Sequence, residues 1–418
     1  MRPLLLNTSD SGGGAARAAA RLHLALRAEQ IDSAMLVQWK SSDLPQVFAP
    51  QGLAARAFSR IKFESEKWRL RGYKPASKDF SAPWIASLTP GRVRRQNADL
   101  VHLHWTSYGL LNVEDLARLG RPIVWTLHDM WAFTGGCHYS LGCSRYQAKC
   151  GRCPVLSSDG DDDLSRRLWQ RKRRAWDDLT LHIVAPSRWM AQTARKSSLF
   201  GDREIEVIPN ALDVELFKPG NRAAARARFG LPHAPRLVLF GAVDSANNPR
   251  KGPHLLRAAL EHLRGRAKEP IELIVLGQDG PGPGEGFALP THYAGSLSDD
   301  AALVDLYAAS DVVVLPSVED NLPNIAMEAL ACGRPCVGFG VGGLPDLIAH
   351  GGTGYLAQAQ NPADFAEGIL HCLDKDRSAS YGQQARAHAV AAYAPHVIAR
   401  RHIALYQKVL AAQPGARA

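Results

Sequence analysis

The sequence predicts an α/β protein made of two doubly wound parallel sheets in series. Three observations carry that prediction. Short apolar segments alternate with helical patterns almost from end to end, the alternation restarts half-way along, and proline and glycine gather where it restarts. A chain of 418 residues exceeds one ordinary core and suits roughly two or three domains.

In the first half the predicted strands are "RPLLLN", "SAMLVQW", "DLVHLHW", "PIVWTLH", "LHIVAP" and "IEVIP". Each is a short apolar run of the kind that a sheet buried on both faces requires. The opening "MRPLLLNTSDSGGG" has only three leucines before polar residues and glycines, so it reads as a buried first strand rather than an export signal. The second half restarts with "RLVLFGAV", "IELIVLG", "DVVVLPS" and "PCVGFG", after the linker-like "NALDVELFKPGNRAAARARFGLPHAPR". The expected domains are therefore 1–214, carrying a cysteine-rich insertion at 135–156, and 215–394. A terminal helix in 395–418, apolar at Ile398, Leu405 and Val409, is expected to pack back on the body. Two such domains would turn the carboxyl ends of both sheets toward an interdomain crevice, where open α/β sheets bind ligands.

Composition narrows the class further. Hydrophobic content of 46% with 22% charged residues fits a globular enzyme, and no apolar run reaches the roughly 18 to 20 residues of a membrane span. The net charge of +10 is uneven: residues 1–214 hold 31 Lys+Arg against 21 Asp+Glu, while the remainder holds 19 of each. An anionic partner for the first half, or a solvated basic surface, would account for that excess.

Four motifs carry chemistry. In "NTSDSGGGAARAAARLHLAL", Gly12, Gly13 and Gly14 lie between a strand and a helix, where backbone N–H groups and the helix dipole suit phosphate oxygens. The glycines are contiguous and "MLVQWK" ends without an acid, which argues against a nicotinamide-dependent oxidoreductase. In "VWTLHDMWAF", His128 and Asp129 leave the carboxyl end of a strand, where an imidazole can hold a sugar hydroxyl or a developing charge. His102 and His104 on the preceding strand have the weaker claim, with packing expected for one or both. "NPRKGPHLL" puts Arg250 and Lys251 in a βα loop, as a diphosphate requires. Finally, "SVEDNLPNIAMEALACG" offers Glu319, Asp320 and Glu328, and "FGVGGLPDLIAHGGTGYL" offers Gly342 and Gly343 to an anion. Together these motifs suit a nucleoside diphosphate.

The ordered set of glycine-rich first loop, "LHD", "APSRWM", "VIPNALD", "RKG", "EDNLPNIAMEALACG" and "GVGGLPDLI…GGTGYL" resembles retaining nucleotide-sugar glycosyltransferases of the GT-B fold, family four. The nearest subgroup is that of bacterial exopolysaccharide and lipopolysaccharide enzymes with "HDMWAFTGGCHYS". The resemblance implies that the first domain binds a saccharide or polyprenyl-diphosphate-linked acceptor, and the second a nucleoside-diphosphate sugar. Residue by residue, it implies that Glu328 holds the ribose hydroxyls and Asp320, where the family usually has Glu, contacts the donor sugar. Asn321, Leu322, Pro323 and Asn324 would shape the loop around sugar and phosphates, and Lys251 would neutralise the diphosphate. Arg250 would replace a family arginine absent because Ala242 follows Gly241. His128 would sit near the reacting centre, with Asp129 beside it. No cofactor is implied for catalysis.

Two features stand apart from that set. Cys137, Cys143, Cys150 and Cys153, with His138 beside them, have the spacing of a four-thiolate structural zinc site, with buried thiols or an oxidisable pair as alternatives. "DDDLSRRLWQRKRRAWDDL" reads as a cationic amphipathic helix, either packed with a solvated basic face or touching an anionic membrane surface. A cytoplasmic enzyme, peripheral at the inner face of the cell membrane, is the expectation. A basic, zinc-braced nucleic-acid-binding protein is a third reading, but no aromatic-basic RNA motif or recognition helix supports it, so nucleic acid is not an expected partner.

Overall fold

The computed structural model describes residues 1–74, 79–241, 248–281 and 286–413. The chain divides into two compact units: Met1–Ala211 together with the chain from Ile398 onward, and Leu212–Val397. The sequence-based limits of 214 and 394 differ from these by three residues each.

The first unit contains β1 (Pro3–Ser9), α1 (Gly14–Ala28), β2 (Ala34–Trp39), β3 (Val47–Phe48), α2 (Leu53–Leu70), α3 (Thr89–Arg94), β4 (Leu100–Leu103), β5 (Ile123–Thr126), α4 (Leu164–Trp176), β6 (Leu181–Ala185), α5 (Arg188–Arg195) and β7 (Ile205–Val207). Its seven strands are all parallel in the order β3-β2-β1-β4-β5-β6-β7. Alternation along each strand splits the apolar side chains between two cores. Leu4, Leu6, Leu36 and Leu103 face one side, and Leu5, Met35, Val37 and Leu100 the other.

The second unit contains α6 (Arg222–Arg228), β8 (Arg236–Gly241), α7 (Pro253–Leu263), β9 (Ile271–Leu276), β10 (Thr291–Tyr293), α8 (Asp300–Ala309), β11 (Val312–Leu315), α9 (Asn324–Ala331), β12 (Cys336–Phe339), α10 (Leu344–Leu347), β13 (Gly354–Ala357), α11 (Pro362–Leu373) and α12 (Lys375–Tyr393). Its order, β10-β9-β8-β11-β12-β13, is again all parallel and reverses between β8 and β11. Leu237, Leu239 and Val313 pack on one face, and Val238, Phe240 and Val314 on the other. The last helix, α13 (Pro395–Ala411), places Ile398, Leu405, Tyr406 and Val409 in the first unit's core beside Leu5 and Val37.

Every strand anticipated from the sequence is present, although Ala242 and Val243 lie outside the described residues. Three strands escape the apolar-run criterion. β3 has two residues, β10 is a partly exposed edge, and β13 begins with a glycine. Gly354 is required there by close approach: a Cβ would stand 1.9 Å from the Cys336 carbonyl oxygen. Among the described residues no helix is long and apolar enough to cross a membrane.

Candidate functional site

In the second unit the candidate residues gather where the strand order reverses, the usual ligand position in such sheets. A short 3-10 turn, Pro249–Lys251, precedes α7, and Asn248 Oδ1 accepts from the Arg250 N–H at 3.1 Å. The turn closes on Gly252, whose φ is +68° and whose Cβ would meet the Pro316 carbonyl oxygen at 1.9 Å. That contact fixes the turn to the segment after β11. Gly252→Ala is therefore expected to cost at least about 2 kcal/mol of stability through backbone strain and overlap. Chemical denaturation checks it, as a lowered midpoint.

Asp320 is the hub. Its Oδ2 accepts from Lys251 Nζ at 2.6 Å and from Ser317 Oγ at 3.3 Å, and its Oδ1 accepts from the Asn321 N–H at 3.0 Å. Arg250 Nη1 lies 3.5 Å from Oδ1 and donates to the Glu319 carbonyl at 2.9 Å. Burial favours the neutral acid, yet the charges of Lys251 and Arg250 hold the Asp320 carboxyl below its ordinary range. The Asp320 carbonyl accepts from the Gly343 N–H at 2.9 Å, and a Cβ on Gly342 would overlap that same oxygen. Arg250, Lys251, Asp320, Gly342 and Gly343 are thus one constellation. Asn321 and Leu322 are buried in the loop that continues through Pro323 to Asn324, the first residue of α9. Glu328 is buried on that helix, with Oε2 accepting from Tyr307 Oη at 2.7 Å. Tyr307 is a partner the sequence reading missed. Its only sequence signal is a tyrosine on the apolar stripe of α8.

In the first unit His128 Nε2 lies 2.9 Å from His104 Nδ1, and His104 stacks against His102 with ring centroids 4.3 Å apart. His102 is held by Tyr406 Oη at 2.6 Å and Thr126 Oγ1 at 2.7 Å, and His402 packs on its other side. Both His102 and His104 are therefore packed and hydrogen-bonded. Burial pushes His128 down to about 4, against the pull of Asp129, so the ring is neutral at pH 7. Asp129 is not free to react. Its Oδ2 accepts from Trp105 Nε1 and from His138 Nδ1, each at 2.7 Å, while Oδ1 accepts from the Trp131 N–H at 2.8 Å. Its geometry is that of a group fixing the loop after β5. Gly12 and Gly13 have φ of +72° and +78°, and Gly14 opens α1. Nothing lies within 4 Å of a Cβ built on Gly12 or Gly13, so conformation rather than crowding selects glycine. Asp10, also missed from sequence, accepts from the N–H groups of Ser41 and Ser42 at 2.9 and 3.0 Å and ties this loop to the end of β2.

Residues 12–216 match the family described as Glycosyltransferase Family 4, and residues 234–375 the one described as Glycosyl transferases group 1. The chain belongs to the family 4 glycosyltransferases. Among its relatives, D-inositol 3-phosphate glycosyltransferase 2 of Catenulispora acidiphila is 28% identical over 76% of this chain and 74% of its own length. D-inositol 3-phosphate glycosyltransferase of Nocardia farcinica is 30% identical over 70% of this chain and 62% of its own, so less than two thirds of that protein is matched. Sucrose-phosphate synthase of Thermosynechococcus elongatus shares the fold at a TM-score of 0.70 and 20% identity, covering 99% of this chain and 100% of that one. Anabaena HepE, solved with UDP and glucose, gives 0.66 and 18% over 98% and 100%. WaaG, involved in lipopolysaccharide biosynthesis, gives 0.64 and 16% over 96% and 99%. At these identities the likeness is one of fold, the GT-B pair of Rossmann-like domains. Family membership sets aside the oxidoreductase and nucleic-acid readings.

Cys137, Cys143, Cys150 and Cys153 line one cavity of about 20 Å³, and all are free thiols. Among the described residues, no group of three or more His, Cys, Asp or Glu is placed to hold a metal ion. Burial raises the Cys137, Cys150 and Cys153 thiols, Cys150 to about 12. The cationic helix α4 is a packed element: Leu168, Trp169, Lys172 and Trp176 are buried. Arg171 pairs with Glu114 at 2.5 Å, Arg167 pairs with Asp162 at 3.2 Å, and the buried Lys172 lies 3.6 Å from the Trp131 ring centre. The helix α2 exposes Leu53, Ile61 and Trp68 among Arg56, Arg60 and Lys67.

Proposed function

We propose that this glycosyltransferase moves a sugar from a nucleoside-diphosphate sugar to a saccharide or polyprenyl-diphosphate-linked acceptor, with retention of anomeric configuration, in bacterial surface polysaccharide synthesis. The observation that carries the donor reading is the Asp320 constellation at the strand-order reversal of the second unit. There two cations converge on one carboxylate beside the segment leading into α9. A diphosphate arriving there takes over part of the pairing that Lys251 and Arg250 make with Asp320. The released Asp320 oxygen then accepts from a hydroxyl of the donor sugar. Glu328 accepts from the ribose hydroxyls, and the leaving diphosphate collects negative charge against Lys251. HepE was solved with UDP and glucose on this same fold, which supports a uridine nucleotide.

The neutral His128 is suited to accept or donate a hydrogen bond at a sugar hydroxyl, and Asp129 acts by positioning the loop that follows it. The family resemblance implies no separate enzymatic nucleophile, and Asp129, beside His128, is held by three donors. Attack on the donor face from which the diphosphate leaves, with that diphosphate taking the acceptor proton, then gives retention. The apolar and basic face of α2 supports peripheral contact with the cytoplasmic face of an anionic membrane. A panel of sugar nucleotides in a thermal-shift assay tests the donor. The true donor raises the melting temperature, by an amount that grows with concentration. Proton NMR of the product checks the anomer. No shift with any member of the panel, or an inverted product, would refute the corresponding part.

A further inference from the structure

The first unit holds a second cavity that shares no residue with the walls around His128. Its volume is about 390 Å³, within the roughly 300 to 1,000 Å³ of small-molecule sites. It is built from the ends of β2 and β3 and from α2 and α3. Phe48 and Phe58 make apolar wall, and Lys62, Arg92 and Arg95 bring three cations. No carboxylate lines it.

The charge is not balanced locally. Lys62 donates to the Gly109 carbonyl and is offset by Asp115 and Glu66. Arg92 and Arg95 make no ion pair among the described residues. Among the described residues the one side-chain hydrogen bond of Arg92 is a long one, from Nη2 to the Phe48 carbonyl at 3.5 Å. Burial, with Arg95 adding repulsion, lowers Arg92 to about 10, so it keeps its charge at neutral pH at a cost in desolvation. A second observation is independent of charge: Gln38 lines the same cavity, is 4% exposed, and its Nε2 is buried without a hydrogen-bond partner. Two forked guanidinium groups and an unused amide donor form a set that only acceptor atoms can satisfy.

We infer that this cavity binds a phosphate monoester, the phosphate of a phosphorylated polyol or sugar. The guanidinium groups of Arg92 and Arg95 grip the phosphate oxygens, Gln38 Nε2 donates to another oxygen, and the aromatic walls pack against the carbon skeleton.

Calorimetry on the full chain with saturating UDP compares inorganic phosphate, D-inositol 3-phosphate and inositol as probes. The wild type is expected to bind both phosphates and not inositol, with the monoester the tighter. Arg92→Gln/Arg95→Gln should lose at least tenfold in affinity for both phosphates. Exposed Arg95→Gln alone, which leaves the fold undisturbed, should lose about threefold. UDP affinity should be unchanged in both variants. Wild-type phosphate affinity in the double variant would overturn the site. Equal affinity for free phosphate and monoester would overturn the monoester in favour of a free anion. Failure of UDP to bind any form would instead overturn the uridine reading, and the phosphate arms would still be read without it.

Discussion

Glu328→Ala is expected to abolish binding of the sugar nucleotide at concentrations that saturate the wild type. Glu328 is buried on α9, and Oε2 is held by Tyr307 Oη, so the carboxylate is pre-positioned before any ligand arrives. Two hydrogen bonds from ribose hydroxyls to an ionised acceptor, at about 1.5 to 3 kcal/mol each, amount to a hundredfold or more in affinity. Calorimetry with the donor measures it directly. The same substitution leaves the Tyr307 hydroxyl buried without this acceptor, which costs about 1 to 3 kcal/mol of stability. Glu328→Gln separates the two effects, because the amide oxygen can still accept from Tyr307 while the charge is gone. It should recover the stability and little of the affinity. Unchanged donor affinity in the alanine variant would remove Glu328 from the ribose.

Acidification is expected to destabilise the first unit steeply between about pH 6.5 and pH 4. His102, His104, His128 and His402 lie in one row, with His128 half-buried and the others buried, and burial holds all four below their ordinary range, His128 and His402 at about 4. Arg401 adds to the depression at His402, while Asp129 opposes it at His128 without overcoming burial. In the unfolded chain each would titrate near 6.5. Between these values the unfolded state binds more protons than the folded one, so stability falls as pH falls. Each unit of depression is worth about 1.4 kcal/mol per group, and four groups together make the loss several kcal/mol. Melting temperature followed across this range should drop, and His402→Gln should flatten the drop. A melting temperature flat from pH 7 to pH 4.5 would show that the row does not titrate as a buried set.

Legibility differed between fold and site for identifiable reasons. Strands such as "RPLLLN" and "DVVVLPS" could be found because a parallel sheet covered on both faces needs unbroken apolar runs, and those survive in one dimension. β13 was hidden because its first residue is a glycine chosen by a neighbour's carbonyl 18 residues earlier in the chain. The amphipathic "LSRRLWQRKRRAW" indicated a helix correctly but not which cations it buries. Only tertiary packing puts Lys172 against Trp131 and pairs Arg171 with Glu114.

By itself, the sequence determined two doubly wound parallel domains, their approximate limits, and the short motifs that hold Arg250, Lys251, Asp320 and Glu328. These follow from periodicity, from glycine and proline punctuation, and from spacing within a loop or a helix turn, all of which are local. Only the tertiary structure decided that Lys251 closes on Asp320, that Asp129 is held by three donors, and that four histidines from one strand, the segments after two strands and the last helix form one row. It also decided that the four clustered cysteines line one cavity. Such outcomes depend on which segments the sheet brings side by side and on how much water is left between them, and neither is encoded in the residues next to each group.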